Sequence, residues 1–123
     1  MIENKTILIV EDSTYQRKII GEQLNSIGVP YLQATNGMDA LEVINANHVD
    51  LILTDLLMPK MGGVEFIKKL KELNKNIPII VITADIQNEV KKECADLGVS
   101  YYLPKPINTD KLLELMRLLL PTK

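Results

Sequence analysis

An aspartate, Asp55, stands where the apolar run VDLIL (49–53) has ended and Thr54 has passed, and a loop, LLMPKMGG (56–63), follows it. Glu11 and Asp12 follow a second apolar run, ILIV (7–10). Thr83 closes a third, IIVI (79–82), and Lys105 lies just past YYL (101–103). If these runs are parallel strands, all five polar residues fall on the carboxyl-terminal edge of one sheet, where open α/β sheets bind ligands near the switch in strand order. Carboxylates gathered there repel: two unit charges about 4 Å apart cost about 4 kcal/mol at an effective dielectric of about 20. Such a cluster calls for a cation. All-oxygen ligands with an open coordination sphere suit Mg²⁺, which keeps waters and joins phosphate. Lys105 offers a compact positive charge for an anion and Thr83 a hydroxyl donor. Carboxylates, divalent ion, lysine and hydroxyl together describe a phosphoryl-transfer site. One acid alone would read equally well as a helix cap, with Asp12 or Ser13 capping the first helix, and Asp50 would merely start a strand. Capping does not place five polar residues at matching strand ends.

The runs that must position these residues do not alternate polar and apolar, so they read as strands buried on both faces of a parallel sheet. YLQAT (31–35) and YYL (101–103) are weaker strand candidates. Helical spacing fills the intervals. Residues 14–27 carry Ile20, Leu24 and Ile27 and stop at Gly28. Residues 38–46 carry Leu41 and Ile44, and residues 63–73 carry Val64, Ile67 and Leu70. Residues 87–97 carry Val90, Cys94 and Leu97 and stop at Gly98. Residues 109–120 open with Asn108 or Thr109 as a cap and hold a broad leucine stripe. Five βα repeats argue a doubly wound α/β sandwich with right-handed crossovers.

The 123 residues suffice for one domain with a real core, and 46% apolar with 24% charged residues is an ordinary globular composition. A net charge of −2, from 14 basic and 16 acidic residues spread along the chain, argues against a nucleic-acid footprint. The single Cys excludes an internal disulfide framework and fits a reducing compartment. The start, MIENKTILIVED, is too acidic for a signal peptide, and no apolar run reaches the roughly 18 residues of a membrane span. A soluble cytoplasmic protein is expected, with no linker, repeat or low-complexity segment.

The segments LIVEDS (8–13), DLLMPKMGG (55–63), VITAD (81–85) and YYLPKP (101–106), in this order and spacing, resemble the response-regulator receiver domains of the stand-alone, CheY-like kind. The resemblance covers essentially all of residues 1–123 as one receiver domain. It implies a flavodoxin-like doubly wound (βα)5 three-layer sandwich with a five-stranded parallel sheet in the order 2-1-3-4-5. It implies a phosphorylation-activated switch of a two-component system, and not a turnover enzyme. Asp55 would accept a phosphoryl group from the phosphohistidine of a histidine kinase or histidine phosphotransfer protein. Asp12, Asp55 and the backbone carbonyl of Leu57 would bind Mg²⁺, with Glu11 acting through water. Lys105 would pair with one phosphoryl oxygen and Thr83 with another. Tyr102 matches an aromatic switch position whose ring moves inward with Thr83. Lys105-Pro106 matches a bond commonly cis in the family. Leu57 and Asp85 match positions that tune hydrolysis. Glu11 departs from the commoner Asp by one methylene, which affects its contact to the metal shell. The loop after Asp55 would curl back to the metal, with Pro59 fixing one angle and Gly62-Gly63 allowing the turn.

The remaining candidates read as structural. His48, the only histidine, lies in a loop far from the site and reads as solvated surface. Cys94 reads as core, and Lys68, Lys69 and Lys71 as a solvated face. In the last helix Leu112, Met116 and Leu119 serve the core, while Leu113, Leu115, Leu118 and Leu120 widen the stripe. That excess is either further core or a face beside Tyr102 for a downstream protein or a second copy of the chain. Two other functions compete. An aspartyl-nucleophile phosphohydrolase needs a second acid two residues after the nucleophile, where this chain has Leu57. A phosphate-independent pseudo-receiver module typically lacks one of the five site residues, and all five are present.

Overall fold

A computed structural model describes residues 4–56, 58, 60–84, 88–99 and 101–120, and the side chains of all of these except Asn88 and Glu89. Strands and helices alternate: β1 (Ile7–Val10), α1 (Thr14–Ser26), β2 (Tyr31–Ala34), α2 (Gly37–Ala46), β3 (Leu51–Thr54), α3 (Gly63–Glu72), β4 (Ile79–Thr83), α4 (Asn88–Asp96), β5 (Tyr101–Pro104) and α5 (Thr109–Leu119). All strand pairs are parallel, in the order β2-β1-β3-β4-β5. The fold class and strand order are those expected. The chain leaves β1 toward β2 and then crosses to β3, so the switch point lies between β1 and β3.

The two-sided burial of the strands shows why their sequences do not alternate. Ile7 and Ile9 of β1, Leu51 and Leu53 of β3, and Ile80 and Ile82 of β4 pack with Ile20 and Leu24 of α1 and with Leu112 and Met116 of α5. Leu8, Val10 and Ile52 face the other way, toward Ala40 and Ile44 of α2 and Phe66 and Leu70 of α3. Val81 packs with Ile67 of α3 and Cys94 of α4. Two helices therefore cover one face and three the other.

Several boundaries differ from the periodicity. β3 starts at Leu51, two residues later than expected, because Asp50 is occupied at the opposite end of the sheet. Its carboxylate accepts from the Thr6 amide at 2.8 Å, and its own amide donates to the Thr6 carbonyl at 2.8 Å. Ser13 caps α1 by accepting from the Gln16 amide, and Asn108 caps α5 by accepting from the Lys111 amide. Asp12 is therefore free of capping duty. Gly28 and Gly98 stop α1 and α4 with φ of 74° and 89°, the left-handed conformation that glycine adopts without strain. In α5 the core positions are Leu112, Met116 and Leu120, spaced by four; Leu119 is only partly buried and Leu118 is 65% exposed. The reversal of Leu119 and Leu120 follows from the cap: Leu120 has left helical geometry, with ψ of 96°.

Candidate functional site

Register carries the polar residues to one edge. Val10 is opposite Ala34 and Thr54, Thr54 is opposite Val81, and Thr83 is opposite Pro104. The residues that follow Val10 and Thr54 therefore emerge side by side at the switch point. Carboxylate oxygens of Glu11, Asp12 and Asp55 all lie within 4.8 Å of one another. Glu11 is 1% exposed and Asp55 8%, whereas Asp12 is open to solvent.

The charge of this cluster is answered from inside the protein. The ammonium of Lys105 donates to Glu11 Oε1 at 2.6 Å and to Asp55 Oδ2 at 2.8 Å. The other Glu11 oxygen accepts from the Ser13 amide at 3.2 Å, and Asp55 Oδ1 accepts from the Leu56 amide at 2.6 Å. The repulsion read from the sequence is thus offset first by a lysine, before any metal. Burial pushes the Glu11 carboxyl above its ordinary range, and the Asp55 charge adds to this, against the lowering by Lys105 and the Ser13 amide. Burial works to lower the Lys105 ammonium, but its bonds to Asp55 and Glu11 outweigh it and the net shift is upward.

Backbone contacts fix Asp55. Gly63 opens α3 with its amide on the Leu56 carbonyl at 3.0 Å. A Cβ at Gly63 would collide with the Asp55 carbonyl oxygen and come 2.8 Å from Leu56 Cα. Glycine is required there by close approach, and among the described residues of the loop the left-handed conformation is that of Lys60, with φ of 66°. The Thr54 hydroxyl donates to the Asp55 carbonyl at 2.8 Å.

Thr83 ends β4 and is 8% exposed; its carbonyl accepts from the Lys105 amide at 2.9 Å. The Lys105-Pro106 bond is cis. Tyr102 lies on the edge strand β5, opposite Val81, and packs with Val81, Cys94 and Val99. Thr83 is two residues beyond Val81, so it shares the sheet face of Tyr102. The Tyr102 hydroxyl reaches the carbonyls of Lys91 and Val99 at 3.2 and 3.3 Å, and Lys91 Nζ stands 5.5 Å from the ring centre. Burial, with the neighbouring Cys94, raises the Tyr102 hydroxyl pKa. Leu57, Pro59 and Asp85 lie outside the described residues, and with them the expected metal-binding carbonyl and the hydrolysis-tuning pair.

Three residues at or near the site went unnoticed in the sequence: Thr54, Arg17, whose Nη1 donates to the Glu11 carbonyl at 2.7 Å, and Gln23 on α1. None sits in a motif. His48 does lie on the surface, with its side chain 83% exposed, but it has a partner: Asp50 Oδ1 at 2.8 Å. Cys94 is fully buried, as its stripe suggested. Lys68 and Lys69 pair with Glu93 and Glu72, each at 3.5 Å between exposed side chains.

The donor set fits a hard divalent cation. It is all oxygen, it is preformed, and its one exposed member leaves room for waters. The model of the response regulator receiver domain matches residues 7–117. The chain belongs to that family. Receiver domains are phosphorylation-activated switches of two-component signalling rather than conventional enzymes, and they usually bind Mg²⁺. Sporulation initiation phosphotransferase F of Bacillus subtilis is 33% identical over 120 residues, 98% of this chain and 97% of that protein. The sensor histidine kinase RcsC of Escherichia coli is 33% identical over 116 residues, 94% of this chain but 12% of that protein, so the chain spans a small part of such kinases. Among solved structures, chemotaxis protein CheY4 of Vibrio cholerae superposes with a TM-score of 0.86 at 30% identity, covering 94% of this chain and 98% of that one. CheY of Borrelia burgdorferi, in complex with CheX, BeF₃ and Mg²⁺, gives 0.84 at 27% identity, covering 95% and 90%. Among the described residues no helix is long and apolar enough to cross a membrane.

Proposed function

We propose that Asp55 of this receiver domain is the phosphoryl acceptor and that residues 1–123 act as one switch. The observation that carries this is the Lys105 ammonium held on Asp55 at the sheet edge, 2.8 Å from Oδ2, inside a set of three carboxylates. A carboxylate oxygen of Asp55 attacks phosphorus, the P–N bond of a phosphohistidine breaks as the P–O bond forms, and the imidazole leaves with its electron pair and takes up a proton. The loss of one Asp55 oxygen as an anion frees Lys105 to pair with a phosphoryl oxygen. Thr83 takes another. Asp12, Asp55 and the Leu57 carbonyl would hold Mg²⁺, which supplies charge neutralisation for the phosphoryl oxygens. Glu11 has both oxygens engaged by Lys105 and Ser13, which supports an indirect contact through water.

The donor is a histidine kinase or a histidine phosphotransfer protein; a receiver 25% identical to this chain has been solved in complex with the histidine phosphotransfer protein Ypd1 of Saccharomyces cerevisiae. The output is a downstream protein, or a second copy, bound at the groove between β5 and α5 that Tyr102, Lys111 and Leu115 line. The buried single cysteine supports the cytoplasm as the location. The domain is a stoichiometric phosphoprotein and does not turn over a phosphomonoester. Incubation with phosphoramidate and Mg²⁺, followed by intact mass, tests the assignment: the parent gains one phosphoryl group and Asp55→Asn gains none while remaining folded. Phosphorylation persisting in Asp55→Asn overturns it.

A further inference from the structure

We propose that Gln23, on the third turn of α1, is a positioning residue for Lys105. This rests on the reading of Lys105 as the phosphoryl ligand. The Gln23 amide nitrogen donates to the Ile107 carbonyl at 2.6 Å and to the Thr109 hydroxyl at 3.0 Å, across 84 and 86 residues of sequence. A carbonyl oxygen only accepts, so the nitrogen end of the amide must face the loop, and both its hydrogens are spent there. The amide oxygen turns inward and meets no protein donor among the described residues.

Those two bonds grip the segment between Lys105 and α5. On its upstream side the segment is tied by the Lys105 amide to Thr83. On its downstream side the Asn108 side chain caps α5 through the Lys111 amide. Between them the Ile107 side chain is buried in the core, and its carbonyl is held by Gln23 alone among the bonds described. The same helix also secures the other partner of the lysine: Arg17 Nη1 holds the Glu11 carbonyl at 2.7 Å. Both ends of the 2.6 Å contact between Lys105 and Glu11 are therefore referenced to α1. Lysine has a long, flexible stem, and holding its ammonium between two acceptors needs a backbone fixed to about 0.5 Å. Gln23 supplies that fixity from outside the site.

The test uses Gln23→Met, which keeps the length of the side chain and removes both donors. Beryllium fluoride affinity is measured at saturating Mg²⁺, Mg²⁺ affinity is measured separately, and the ¹⁵N resonance of Lys105 Nζ is followed. Beryllium fluoride binding should weaken about tenfold. Mg²⁺ affinity, which depends on the carboxylates, should stay as in the parent, and the Lys105 resonance should move toward that of solvated lysines. Gln23→Lys, an ammonium of similar reach, should restore binding. Stability alone decides nothing, because the substitution also removes the buried amide oxygen. Should Gln23→Met not fold, Gln23→Asn, too short to reach the loop, is read in the same way. Unchanged beryllium fluoride affinity and an unmoved Lys105 resonance, with Lys105→Ala losing the affinity, overturn the proposal. Lys105→Ala binding like the parent would instead overturn the reading of the site.

Discussion

The Lys105 ammonium lies closer to Glu11, at 2.6 Å, than to Asp55, at 2.8 Å. Glu11 is also the more buried of the two acids. One lysine is therefore shared between two carboxylates that the fold has largely removed from water. Lys105→Met leaves both acids without their cation and should cost about 2–3 kcal/mol in metal-free urea unfolding. Adding Glu11→Gln to that variant should recover most of the loss. Equal stability of the parent and Lys105→Met would contradict the bridge.

Glu11 also gives a pH signature. Its folded pKa is raised above 4.5, so the native state takes up a proton that the unfolded chain releases. The stability from this group is full below pH 4.5 and is lost as pH rises through the higher folded value. Glu11→Gln lacks this loss. Denaturation at a series of pH values, without metal, should show the variant gaining on the parent as pH climbs above 4.5 and then levelling.

Asp50 behaves in the opposite sense. Burial works to raise it, but the Thr6 amide and His48 outweigh burial and hold it below 3.8. Its contribution is present above pH 3.8 and disappears as pH falls through the lower folded value. Asp50→Ala should cost about 1–2 kcal/mol near neutrality, and parent and variant should converge in strong acid.

Asp12, exposed beside two buried acids, separates metal binding from folding. Asp12→Asn should change metal-free stability by less than about 1 kcal/mol, because an exposed charge is well screened. Its Mg²⁺ affinity by calorimetric titration should fall about tenfold or more.

Gly63→Ala should be felt at Asp55. The added methyl meets the Asp55 carbonyl and Leu56 Cα, both backbone. Strain of about 1–3 kcal/mol is expected, with slower phosphorylation from phosphoramidate. Gly62→Ala, whose nearest atom is the Leu56 carbonyl at 3.0 Å, should be milder.

Ile7–Val10 and Leu51–Thr54 could be recognised as doubly buried strands because burial on both faces leaves a continuous apolar run, and parallel strands then force Glu11, Asp12 and Asp55 to one edge. The family motifs identified the same residues. What the sequence hid depends on distance in space. Nothing in local spacing places Gln23 against Ile107, or Asp50 against Thr6. Nor does it say that Lys105, expected to await an anion, already bridges two acids. Gly63 looked like a turn residue because glycine commonly is one; its need is contact with the Asp55 backbone, which only packing reveals.

On the proposed function, one edge of the sheet holds a phosphoryl site coupled to the β5–α5 face. Amide NMR on adding Mg²⁺ and then beryllium fluoride addresses both halves. Shifts are expected at Asp12, Asp55, Thr83 and Lys105, spreading to Tyr102 and along α5. No response to either addition, in a folded protein, would contradict that function.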